Sequence, residues 1–129
     1  MPFFAAMLTA LVILFGAPHC QAAYDEYEFV DANGDTGYYV NSKSAYFPVE
    51  APQIVDADIA VKKAGQNRMF TYKMRFDNVA QTYQILTATV MRYDTKEITE
   101  NYTEPQAPQN YRPESPMSEI VDYLFAAKH

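Results

Sequence analysis

Cysteine, histidine, glycine and tryptophan are nearly or wholly missing from this chain, and each gap removes a class of chemistry. Its 129 residues include one cysteine, two histidines, four glycines and no tryptophan. Cys20 and His19 fall in an uncharged leading segment, so the remainder has no thiol, no disulfide and one imidazole, His129, at its end. Zinc coordination, thiol catalysis and Ser-His-Asp hydrolysis therefore find no support. There is no Gly-x-Ser-x-Gly and no glycine-rich phosphate loop, so nucleotide binding of the usual kinds is unsupported too. Basic residues are also scarce. Ten Lys and Arg against sixteen Asp and Glu give a net charge of −6, the wrong sign for a nucleic-acid partner. No catalytic set, metal site or cofactor is expected.

Charge is absent altogether from Pro2 to Ala17, where an apolar run through Leu14-Phe15 ends at Gly16-Ala17-Pro18. An apolar core, a break and small residues around Ala22 and Ala23 have the layout of a secretory signal. Cleavage after Ala22 sets Cys20 and Ala22 at the two small positions, and cleavage after Ala23 is the near alternative. The run is shorter than the roughly 20 apolar residues a membrane span needs. Lipid attachment at Cys20 is not expected, because Ala17 and His19 stand where lipoprotein signals carry Leu and a small residue. The division that follows is a signal over 1–22 and one exported domain over 23–129, in the periplasm or at the cell surface.

What is present reads as strands. Val55, Ala57, Ile59 and Val61 alternate with Asp56, Asp58 and Lys62; Phe70, Tyr72, Met74 and Phe76 alternate with Thr71, Lys73 and Arg75. Period 2 of this kind marks a sheet with one wet face. Shorter strands are expected at Tyr27–Val30, from Gly37 into Phe47, and at Glu97–Tyr102. The longest, Thr82–Tyr93, changes phase at Ile85-Leu86 as a β-bulge would. Turns at 64–67, 77–80 and 94–96 are too short for crossovers, so the hairpins are antiparallel. Prolines at 105, 108, 113 and 116 predict an extended surface connection. A helix then starts at Pro116, with Ser115 as cap, Glu119 in its first turn, and Lys128 near its end. Met117, Ile120, Val121 and Leu124 form its apolar stripe. The fold class is α+β: an antiparallel sheet of about six strands, with one C-terminal amphipathic helix on its apolar face.

Two acidic stretches invite a metal reading. Asp31, Asn33 and Asp35 match the first three places of an EF-hand loop, but the sixth is Thr36 and the twelfth Ser42. Asn33-Gly34 predicts a hairpin turn instead. Asp56 and Asp58 share a strand face, where alternating acids mark solvation rather than catalysis. Eleven tyrosines remain. Tyr72 belongs to the apolar face, whereas Tyr38, Tyr39, Tyr46 and Tyr102 are candidates for a contact surface.

Three stretches resemble the surface-adhesin protein E family of small exported Gram-negative domains. They are Tyr38-Tyr-Val-Asn-Ser-Lys-Ser-Ala45; Phe76 to Asp94, with Arg92-Tyr-Asp-Thr-Lys96; and Arg112-Pro-Glu-Ser-Pro-Met-Ser-Glu119. Glu114 stands where that family's pattern carries glycine. The resemblance implies an antiparallel sheet with a packed helix, an envelope location and a role in contact rather than catalysis. The expected function is thus a non-enzymatic binding module for a macromolecule at the cell envelope or host surface. Pairing with a second copy through a sheet edge is a further expectation. The alternative is a periplasmic small-ligand carrier with a cavity between helix and sheet.

Overall fold

The computed structural model describes residues 26–127. The expected signal segment with Cys20, and Lys128 and His129 at the far end, lie outside the described residues. Six strands follow one another as a meander: β1 Glu28–Asn33, β2 Thr36–Tyr46, β3 Ile54–Lys63, β4 Arg68–Asp77, β5 Thr82–Arg92 and β6 Ile98–Tyr102. Their spatial order is β1-β2-β3-β4-β5-β6, every pair antiparallel. A two-residue strand, β7 Gln109–Asn110, pairs with the opposite half of β5, and the helix α1 spans Pro116–Ala126.

The register explains the two faces. Val55, Ala57, Ile59 and Val61 lie directly opposite Phe76, Met74, Tyr72 and Phe70. The alternating apolar residues of β3 and β4 therefore meet on one side of the sheet. Lys73 pairs with Thr87 but Met74 with Ile85, so Leu86 is the extra residue of the expected bulge. That bulge keeps Tyr83 and Ile85, and beyond it Ala88 and Val90, on the same apolar side. Ile120, Val121 and Leu124 of α1 complete the core with Val40, Val55, Ile59 and Phe76. Burying each such side chain contributes about 1.5–3 kcal/mol, which must suffice without a disulfide.

The helix begins as its sequence predicts. Ser115 Oγ accepts the amide of Ser118 at 3.2 Å, Pro116 occupies the first turn, and Glu119 lies there too. Just ahead, Glu114 holds a left-handed backbone, φ 64°, at the position where the resemblance has glycine. Tyr123 reaches back to Glu28 on β1, and this hydrogen bond holds the Glu28 carboxyl below its ordinary range while raising the Tyr123 phenol. Phe125 meets Phe47 edge-on at 5.3 Å.

Two local expectations shift. Asn33 stays in the strand opposite Thr36, so the hairpin loop is Gly34-Asp35, one residue later than read. Within that loop only Gly34 takes a positive φ, 64°, which glycine adopts without a steric cost. The proline-rich connection over 104–116 is not wholly irregular, because it contains β7. Tyr111 is the reason: it is buried in the core, and its amide donates to the Gln81 carbonyl at 3.0 Å. Anchoring Tyr111 draws Gln109 and Asn110, the non-proline residues before it, alongside Tyr83 and Thr82.

Candidate contact surface

The four candidate tyrosines do not converge. Adjacent strand residues point to opposite faces, and the register carries this through. Tyr38 lies opposite Val61 and Tyr102 opposite Ala88, both on the helix face. Tyr39 lies opposite Ala60 and Tyr46 opposite Asp56, both on the polar face. Tyr38 packs against the core, and burial raises its phenol, with Asp31 adding to the effect. Tyr39 helps cover a small second cluster of Ala60, Met69 and Met91. Its ring meets Phe29 edge-on at 5.5 Å and carries Lys62 Nζ at 4.3 Å. These two are packing residues. Tyr46, 61% exposed, and Tyr102, 49% exposed, remain available. Four strand spacings separate β2 from β6, about 19 Å, so the two make no common patch.

Asp56 and Asp58 are already partnered. Asp56 accepts two hydrogen bonds from Arg75, at 2.9 and 3.0 Å, and Asp58 one from Lys73 at 3.4 Å. Both pairs lie across β3 and β4, where opposite charges face each other in the ladder. Among the described residues no three acidic, His or Cys groups gather as a metal set. Gly34 serves the hairpin rather than a calcium loop.

The described residues line two concavities of note. One of about 210 Å³ lies over the polar face beside Asp58, Thr71, Lys73, Thr87 and Thr89. The other, about 330 Å³, is bordered by Gln66, Asn67, Arg68, Arg92, Thr99 and Glu100. Neither includes a residue of α1. Beneath the helix, Ile120, Val121 and Leu124 are buried against the sheet, with Met117 packed beside them.

The feature that strand-by-strand reading missed is the outer edge of β6. All five of its residues are exposed. Val90 pairs with Glu100 but Met91 with Ile98, so Thr99 is an extra residue that reverses the alternation. Ile98, 60% exposed, consequently projects on the polar face while Glu100 and Tyr102 project on the helix face. The Tyr102 hydroxyl donates to Glu100, which raises its phenol. Glu97 and Glu104 flank the strand, both exposed. The β1 edge is differently made: Val30 bulges in its middle, and α1 lies against it through Tyr123 and Glu28. Exposed apolar groups between acids were visible as Glu97-Ile-Thr-Glu-Asn-Tyr102, but their position at the sheet's end was not.

Compared with known proteins, the chain matches no family model, no curated protein and no solved structure.

Proposed function

We propose that this chain is a non-enzymatic binding domain, exported to the envelope or cell surface, that engages another macromolecule along the outer edge of β6. The observation that carries the reading is that edge: five exposed residues, with Ile98 and Tyr102 projecting on opposite faces of the same strand. An added strand gains main-chain hydrogen bonds from such an edge and side-chain specificity from groups on either face. Ile98 and Tyr102 would hold it from both sides. Glu97, Glu100 and Glu104 select for an extended, basic segment. The signal-like leader and the family resemblance support the envelope setting. The partnered Asp56 and Asp58 give an enzymatic reading no support, and the burial of Ile120, Val121 and Leu124 in the shared core gives little to a ligand carrier.

A second copy of the chain is the competing occupant. Pairing β6 with itself about Glu100 would oppose two carboxylates, and pairing β6 with β1 would meet Glu28 and Asp31. Charge favours a basic partner over self-association. The test is capture from envelope extracts and host-matrix preparations by the immobilised domain, alongside its Ile98→Lys/Tyr102→Lys variant. Wild type should retain a partner that added salt releases and the double variant loses. Equal capture by both, or none by either, contradicts the proposal.

A further inference from the structure

The end of the sheet where β3 turns into β4 holds an arrangement that strand addition does not require. Arg68 and Arg92 are direct cross-strand partners, the first residue of β4 facing the last of β5. Like charges directly opposite in a ladder are destabilising. The cost is notable in a chain with only ten basic residues. Among the described residues, every other lysine and arginine except Arg112 has an acidic or aromatic partner. Arg68 has neither. Arg92 pairs only with Asp94, through two long hydrogen bonds of 3.3 Å each, and both side chains are about half exposed. An exposed pair of this kind is weak enough to yield to a better-placed anion.

The surroundings are donors held in place. Asn67 closes the β3–β4 turn in a left-handed conformation, φ 53°. Its carbonyl accepts the Tyr93 amide at 3.1 Å, and its side-chain oxygen accepts the Asp94 amide at 3.0 Å. The two turns are thereby clamped together, and the Asn67 side-chain NH2 remains to donate. Gln66 and Thr99 border the same 330 Å³ concavity, with Glu100 also on its rim.

From this geometry we infer a binding site for an oxyanion, a phosphate, sulfate or carboxylate group, held between Arg68 and Arg92 with Asn67 and Gln66 as neutral donors and Thr99, whose hydroxyl donates to the Val90 carbonyl, on its border. Two adjacent guanidinium groups match the planar and bidentate demands of such anions. Glu100 limits affinity by repelling the bound charge. The site does not depend on the β6 edge as a contact surface.

The test is titration of the isotopically labelled chain with inorganic phosphate at constant ionic strength, followed by amide chemical shifts. A parallel arm uses phosphatidylglycerol in phosphatidylcholine vesicles, to separate a free anion from one displayed on a lipid headgroup. Saturable shifts confined to residues 66–68, 92 and 99 are expected in at least one arm. Arg68→Gln should weaken binding about tenfold, the scale of a lost charge-assisted hydrogen-bond pair. The same variant should leave Tm unchanged or raise it by on the order of 1–4 °C, because it removes like-charge repulsion. Glu100→Gln should tighten binding, and Arg75→Gln, on the other face, should not alter it. Absence of saturable shifts in both arms overturns the inference. So does binding that Arg68→Gln leaves intact or that Arg75→Gln weakens equally.

Discussion

The two faces of this sheet use the same strands to opposite ends. On the helix face, each apolar residue of β3 meets an apolar residue of β4, and α1 lies against β1 and β2 with its buried side chains in the same core. On the polar face, the intervening positions carry Asp56, Asp58, Lys73 and Arg75 in cross-strand pairs, with one small apolar cluster at a corner. That cluster of Ala60, Met69 and Met91 is roofed by aromatic rings, and the Lys62 ammonium lies over one of them, Tyr39. The lesson is about where stability resides. A domain without disulfides can leave one face to solvent-tolerant pairs only if the other is packed throughout.

This contrast can be broken by substitution. Leu124→Ala, which empties a site under the helix, should cost about 2–5 kcal/mol in chemical denaturation. Met69→Ala on the polar face should fall at or below the bottom of that range, about 1–2 kcal/mol, because its aromatic and lysine cover can settle inward. If the two cost the same, the faces are not different in kind. Asp56→Ala, which unpairs Arg75, should cost no more than about 1 kcal/mol.

Acid sharpens the comparison at the helix. Because Tyr123 and Ser42 lower the Glu28 carboxyl, its contribution is present above the unfolded carboxyl value and disappears as pH falls through the lower folded value. Thermal unfolding of Glu28→Gln should show a small deficit at neutral pH that shrinks as the pH falls below the unfolded carboxyl value and through the lower folded one. A deficit that persists in acid would mean packing rather than charge. The smallest effect is expected at Glu114. Its left-handed backbone favours glycine, while glycine adds freedom to the unfolded chain. Glu114→Gly should therefore be neutral or stabilising by up to about 1 kcal/mol, read from the same melts.

Much of this architecture was legible in the residues. Alternation placed Val55 to Val61 and Phe70 to Phe76 on one face, and the adjoining Ile85-Leu86 marked the bulge. Ser115-Pro116 marked the helix start. β7 was hidden because prolines around Gln109 and Asn110 argued against a strand, and only the burial of Tyr111 overrides them. The candidate surface was read less well. That Tyr38 and Tyr39 must face apart follows from their adjacency alone. That Ile98 and Tyr102 mark an outer edge does not, since which strand ends a sheet is decided by long-range order.

Hydrogen exchange on the chain, free and bound to a captured basic partner, probes the β6 edge most directly. Outward-facing amides among residues 98–102 should slow by about tenfold or more on binding, while those of α1 and the polar face keep their free rates. Protection gained on either face, with β6 unchanged, would place the contact elsewhere.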